Sequence, residues 1–136
     1  MGIRHYRDLV AWQLADSLKK KVYALIESSP AKNDFRFRDQ LRDSAASAPS
    51  NLSEAFGAYG HREAARYVRI ARSSLTETHN HLGDGVDRHH WTETQVGPLQ
   101  NMVDQALKAS GRWLEYLMTT EAPSPWKERP RRKKRR

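Results

Sequence analysis

A row of arginines is the first feature of the sequence that could do chemistry. Four of them recur at steps of four, three and three residues, namely Arg62, Arg66, Arg69 and Arg72. On a helix this spacing places them along one face, because 3.6 residues complete a turn. Such a row is suited to following a phosphate backbone. It is equally typical of a solvated face that pairs with carboxylates such as Glu63, and the residues alone leave both interpretations open.

The strongest concentration of charge is the segment KERPRRKKRR at residues 127–136. It holds eight basic residues and one acidic residue and contributes +7, whereas residues 1–126, with 16 basic and 15 acidic residues, contribute only +1. A like-charged segment that contains proline buries little apolar surface, so we predict a disordered tail over residues 122–136. The predicted nucleic-acid-binding residues are Arg62, Arg66, Arg69, Lys127, Arg129, Arg131, Arg132, Lys133, Lys134, Arg135 and Arg136.

A third chemically capable group lies at residues 79–90, where four histidines accompany two aspartates. Imidazole and carboxylate groups bind transition metals, but a site on a helix needs steps of three or four residues. Only His81 with Asp84, and Asp87 with His90, meet that requirement. We therefore expect no metal and no cofactor. The sequence also shows no nucleophile paired with a base and no glycine-rich phosphate loop, so no catalytic residue is assigned and no enzyme is expected.

Length and composition narrow the class of protein. A chain of 136 residues suffices for one domain with a single core. The absence of cysteine excludes disulfides and thiolate metal sites. The opening MGIRHYRDLVAWQ has no apolar signal segment, and no apolar run is long enough to span a bilayer. These features predict a soluble, cytoplasmic protein.

Apolar residues recur at helical steps in four segments, and no segment convincingly resembles a strand. Short connections between such helices favour an antiparallel up-down-up-down bundle. The predicted fold class is therefore all-α, with a four-helix bundle over residues 1–121 ahead of the basic tail. The third helix is predicted to end in the Gly-Asp-Gly run at residues 83–85. The helices are expected at about residues 6–28, 33–60, 62–82 and 92–119, the last beginning between residues 92 and 98.

The second helix carries an unusual stretch, QLRDSAASAPSNLSEAF, at residues 40–56. Its small side chains at residues 44–48 let neighbouring helices approach closely. Pro49 bends the helix and frees the carbonyl group of Ala45, which we expect the hydroxyl of Ser50 or Ser53, or a water molecule, to satisfy. We interpret the stretch as a packing kink rather than a ligand site.

Large aromatic residues are more numerous than one narrow bundle core can bury, so some are expected at a subunit interface. A homo-oligomer is therefore predicted. The residues in question are Trp12, Phe56, Tyr59, Tyr67, Trp113 and Tyr116.

The pattern Q-L-R-x-S-A-x-S-x-P-S-N-x-x-E at residues 40–54, followed by FGAYGHREAARYVRIARSSLTE, resembles the four-helix-bundle family named for intervening sequences of 23S rRNA genes. The opening YRDLVAWQLADSL is similar to that family's first helix, so the resemblance covers most of residues 6–118. It implies a ring-like homopentamer without enzymatic activity. A related accessory protein of diversity-generating retroelements associates with a reverse transcriptase and nucleic acid, which makes both expected partners.

Several residues depart from that family's pattern. Ala58 and Tyr59 stand where arginines are usual, and Asp43 replaces a basic residue. The tail and the resemblance favour an oligomeric accessory protein that binds RNA or DNA without sequence preference. The nearly neutral body and the missing arginines favour the alternative, an oligomeric scaffold that binds other proteins.

Overall fold

A computed structural model describes residues 3–120 of the chain. The predicted tail, with Lys127, Arg129 and the six basic residues from Arg131 to Arg136, lies outside the described residues. No strand occurs within residues 3–120, so the predicted all-α bundle is confirmed. Two short 3-10 helices, Tyr6–Asp8 and Pro30–Asn33, precede the first and second α-helices. The four α-helices are α1 (Val10–Glu27), α2 (Phe35–Gly57), α3 (His61–Asp87) and α4 (Glu93–Thr119).

Each helix packs against two neighbours: α1 against α2 and α4, and α3 against α2 and α4. Their apolar faces enclose one continuous core in which leucine and valine side chains are almost fully buried. Burial of this kind contributes roughly 1.5–3 kcal/mol for each large aliphatic side chain. None of the helices between residues 3 and 120 has the length and apolar character needed to cross a membrane. The largest of the fully buried side chains are Leu18, Ile26, Leu41, Leu52, Leu75 and Leu82.

The antiparallel arrangement gives the bundle two distinct ends. One, which we call the exit end, comprises the α2–α3 turn at residues 58–60, the start of α3 and the last turn of α4 through Thr120. The other, the far end, comprises the α1–α2 connection and the α3–α4 connection. Gly60 allows the sharp reversal at the exit end because its φ of 85° lies in the left-handed region that disfavours other residues.

The small residues of α2 form a close, polar contact with α3. The hydroxyl groups of Thr78 and Ser44 are hydrogen-bonded at 2.9 Å, and those of Ser74 and Ser47 at 2.8 Å. Ser44, Ser74 and Thr78 are all buried. The close approach expected at residues 44–48 is therefore present, and paired hydroxyl groups accompany it.

The Ser53 hydroxyl does not bond as the sequence suggested. Ser53 donates its hydroxyl hydrogen to the Ser50 carbonyl at 2.7 Å, and Asn51 Nδ2 donates to the Ser47 carbonyl at 2.9 Å. Side chains on a helix reach carbonyl groups three or four residues earlier, whereas Ala45 lies eight residues before Ser53. The expectation that Ser53 satisfies the Ala45 carbonyl is therefore wrong.

Helix α3 does not end at Gly-Asp-Gly as predicted but continues to Asp87. Gly85 is buried under the indole ring of Trp91, and a Cβ atom at residue 85 would lie 2.1 Å from Trp91 Cζ2. The indole Nε1 donates to the Leu82 carbonyl at 2.8 Å. The glycine at residue 85 thus makes room for an aromatic ring. The chain then reverses, and α4 begins with a capping box between Thr92 and Gln95, inside the predicted interval.

Candidate nucleic-acid interface

Three of the four arginines of the row lie exposed on α3: Arg62, Arg66 and Arg69. The guanidinium group of Arg66 lies over the ring of Tyr67 at 4.6 Å, a cation–π contact that leaves its hydrogen-bond donors available. Within the described bundle, no carboxylate forms an ion pair with any of the three, Glu63 included. The interpretation in which Glu63 neutralises the row is therefore not supported by the structure.

Arg72 does not belong to this exposed surface. Its side chain is half-buried and points to α4, where Nη1 donates to the Leu107 carbonyl and lies 3.1 Å from the Ser110 hydroxyl. Gly111 provides the space, because a Cβ atom there would approach Nη1 to 3.0 Å. Arg72 thus joins α3 to α4, and the exposed part of the row consists of Arg62, Arg66 and Arg69.

A hydrogen bond at the exit end joins the start of α3 to the end of α4. His61 Nδ1 lies 2.8 Å from the Thr120 carbonyl oxygen, and the His61 ring lies 5.5 Å from that of Tyr116. As a consequence, Arg62 occupies the same end of the bundle as Thr120, the last described residue before the basic segment. The structure brings the start of the arginine row and the exit of the chain together.

Exposed apolar side chains surround this junction. Tyr59 is 64% exposed, Tyr116 47% and Met118 62%, and Arg69 Nη2 lies 3.3 Å from Met118 Sδ. Tyr59, Arg69 and Met118, but not Tyr116, line an open pocket of about 510 Å³, which falls within the usual range for small-ligand sites. The residues that line it are Tyr59, Gly60, His61, Arg62, Ala65, Arg69, Leu117, Met118 and Thr120.

The predicted nucleic-acid-binding residues do not include Tyr59, His61, Tyr116 or Met118, which the structure places at the exit end. The sequence identifies Tyr59 and Tyr116 only as members of a set of aromatic residues too large for one narrow core. The sequence could have indicated that Tyr116 is exposed, because it lies beside Leu117 but outside the apolar face of α4. Its proximity to α3 depends on bundle geometry and could not be obtained from the spacing of residues in one helix.

The histidines near the end of α3 are engaged separately. His81 Nε2 lies 3.3 Å from Glu77 Oε1, and His90 Nε2 lies 2.8 Å from Asp34 Oδ2. Helical spacing favoured two metal-binding pairs, His81 with Asp84 and Asp87 with His90. In the structure, His81 instead contacts Glu77, and His90 contacts Asp34. Among residues 3–120, no three histidine or carboxylate side chains are grouped so that they could hold a metal ion.

Asp34, Arg88 and Asp84 form an ion-pair chain across the far end. Arg88 Nη1 lies 3.1 Å from Asp34 Oδ2, and Arg88 Nε lies 2.8 Å from Asp84 Oδ2. The hydrogen bond from His90 and the ion pair with Arg88 lower the pKa of Asp34, although partial desolvation opposes this. The hydrogen bond to Asp84 is the main cause that raises the pKa of Arg88. This network ties the α1–α2 connection to the end of α3.

One family model matches the chain, that of the 23S rRNA-intervening sequence protein, over residues 7–111. The match includes all of α1, α2 and α3 and most of α4. It contains Arg62, Arg66 and Arg69 but ends before Tyr116 and Met118. No curated protein matches the chain.

Proposed function

Because the chain belongs to the 23S rRNA-intervening sequence protein family, we propose that it is a non-enzymatic, oligomeric accessory protein that binds RNA or DNA. The resemblance found at residues 40–54 and the family match agree. In this proposal the helix-three arginines and the basic tail neutralise phosphates, and no base sequence is preferred. Affinity then comes mainly from the release of counterions that are condensed on the nucleic acid.

The observation that carries the proposal is the position of Arg62, Arg66 and Arg69. They are exposed, no described carboxylate pairs with them, and the row begins beside Thr120. A strand that contacts the tail can therefore continue along α3 without crossing the nearly neutral remainder of the body. Two basic elements that are weak alone combine when one ligand engages both, because the second contact becomes intramolecular.

Oligomerisation strengthens the same effect. A homopentamer, the assembly expected from the family resemblance, would gather five tails and five arginine rows, and each added contact would raise the overall affinity. Light scattering at micromolar concentration measures this directly, with an expected mass about five times the 15.7 kDa of one chain. A monomer mass would remove both the pentamer and the avidity from the proposal.

A second candidate function is an oligomeric scaffold for protein partners, a reverse transcriptase among them, with no role for nucleic acid. An exposed apolar residue at the far end, away from the arginine row, favours it. Phe35 at the start of α2 is 63% exposed. Exposed aromatic side chains are typical of protein contacts.

The affinity for RNA and DNA as a function of salt concentration distinguishes the two functions. We expect the logarithm of the affinity to fall linearly with the logarithm of salt concentration, with a slope near −0.7 to −0.9 for each phosphate neutralised. Removal of the residues after Trp126 should flatten the slope and abolish most of the affinity. A full chain that binds neither nucleic acid at low salt would favour the scaffold.

A further inference from the structure

We propose that the pocket at the exit end accepts an unstacked base of a single-stranded nucleic acid, with Arg62 and Arg69 on the adjacent phosphates. The stacking surface is Tyr59, which lines the pocket, or Tyr116, whose ring lies 5.5 Å from that of the lining residue His61. This rests on the proposed function, since it places a base-binding subsite within the nucleic-acid surface. It adds a preference for single strands over duplexes. It also adds at least one tyrosine to the residues that bind the ligand.

The shape and lining of the pocket fit a flat ring bound beside negative charge. The exposed Met118 supplies apolar surface, the buried Leu117 and Ala65 lie beneath it, and Arg62 and Arg69 of α3 also line the pocket. A base in a duplex is covered by its neighbours on both faces, whereas a base in a single strand can leave the stack and place one face on an aromatic side chain. A single strand therefore offers a flat base for the apolar part of the lining and a phosphate for its arginines.

Tyr59 and Tyr116 differ in how the fold positions their rings, and part of each side chain is exposed. Tyr59 belongs to the short α2–α3 turn, and 64% of its surface is exposed. Tyr116 packs one side of its ring near His61, which the Thr120 carbonyl holds in place. An aromatic ring fixed before binding loses little conformational freedom when a base stacks on it. Stacking of this type tolerates every base, in agreement with binding that lacks sequence preference.

The positive charge around the pocket favours some binding partners over others. Arg62 and Arg69 have no carboxylate partner within residues 3–120, so a second copy of this face would bring like charges together. A polyanion gains from the same two groups. A ring assembly joins different faces of neighbouring subunits, so this charge argument applies only to a two-fold contact. Against such a contact, the open rings and available guanidinium groups favour a nucleic-acid strand at this end.

The test compares three ligands of equal length with the full-length protein: a uridine RNA strand, an abasic strand with the same number of phosphates, and an RNA duplex. The variants are Tyr59→Leu and Tyr116→Leu, which keep apolar bulk but remove the ring, and Tyr59→Phe, which keeps the ring. Phe35→Leu is the matched control, because it removes an equally exposed ring at the far end.

We expect the uridine strand to bind more tightly than the abasic strand, and at least one leucine variant to weaken uridine binding about fivefold or more while abasic binding is unchanged. Tyr59→Phe and Phe35→Leu should bind like the unmodified protein. Equal affinity for the uridine and abasic strands would overturn the subsite, although salt-dependent binding of both would leave the proposed function intact. A leucine variant that dissociates an oligomer would also overturn it, because a second copy would then cover the rings.

Discussion

A hydrogen bond between His61 and Thr120 connects the first turn of α3 to the end of α4. The Thr120 carbonyl oxygen can only accept a hydrogen bond, so His61 Nδ1 must carry the hydrogen in their 2.8 Å contact. The bond fixes the last residue of the described chain beside the first turn of α3. Thr120 therefore lies at the start of the arginine row, close to Arg62.

The contribution of the arginine row can be measured by charge removal. Simultaneous replacement of Arg62, Arg66 and Arg69 by alanine should reduce affinity for nucleic acid and lower the steepness of the salt dependence, because three phosphate contacts are lost. The effect should be smaller than that of tail deletion, since the tail carries more charge. Fluorescence anisotropy with a labelled RNA strand over a series of salt concentrations provides both quantities.

A control with equal charge loss separates position from net charge. Lys21, Lys32 and Arg36 are exposed, and none pairs with a carboxylate in the part of the chain that the structure describes. Their triple alanine variant should change affinity less than the helix-three variant. Equal effects of the two variants would indicate that net charge alone matters and that the row is not an interface.

Gly85→Ala should destabilise the protein by at least about 1–3 kcal/mol, the usual cost of added volume in a packed core. The added methyl group would collide with the Trp91 ring, whose nearest atom lies 2.1 Å from the ideal Cβ position. Urea denaturation followed by circular dichroism measures the change. Gly83→Ala is the control, because its Cβ meets nothing closer than Gln100 Nε2 at 3.9 Å. That variant should be neutral or more stable by up to about 1 kcal/mol, because alanine has a higher helix propensity than glycine. A larger loss of stability at residue 83 than at residue 85 would contradict our account.

Ala45→Leu and Ala48→Leu should each cost about 1–3 kcal/mol, because both alanines are 1% exposed in α2. Ala24→Leu adds the same volume at an exposed position of α1 and should change stability little. Pro49→Ala should leave a folded protein with only a modest shift in melting temperature. Thermal unfolding of the four variants tests the close-packing explanation, which fails if leucine is tolerated at both residues 45 and 48.

The far-end network predicts a dependence of stability on pH. The pKa of Asp34 in the folded protein is below the ordinary value of 3.8, so the unfolded chain takes up this proton first as the pH falls. The stabilisation is fully present above that ordinary value and is lost as the pH falls through the lowered pKa. Asp34→Asn should therefore lower the melting temperature near neutral pH, and the difference should shrink in acid. Asp43→Asn removes an exposed carboxylate that has no ion pair within residues 3–120, so a similar pH-dependent difference there would argue against the network.

The helices could be predicted from sequence because their apolar residues repeat at intervals set by helix geometry alone. The end of α3 could not, because local glycine propensity is overridden by Trp91, which packs on Gly85 from the following connection. The spacing of Arg62, Arg66 and Arg69 also predicted that they share one exposed helix face. The inward turn of Arg72 depends on a carbonyl group 35 residues away, and the pocket at the exit end depends on where α4 finishes relative to α3.

The hydroxyl pairs between α2 and α3 also determine how the two helices are aligned along their length. Small residues alone would not fix the register of two helices, because alanine and serine side chains interdigitate little with a neighbouring helix. A displacement by one turn would separate Ser44 from Thr78 and Ser47 from Ser74, and each interhelical hydrogen bond lost costs about 0.5–1.5 kcal/mol. Ser44, Ser74 and Thr78 would keep only their bonds to carbonyl groups of their own helices. The contact therefore allows close approach and favours one longitudinal alignment of the helices.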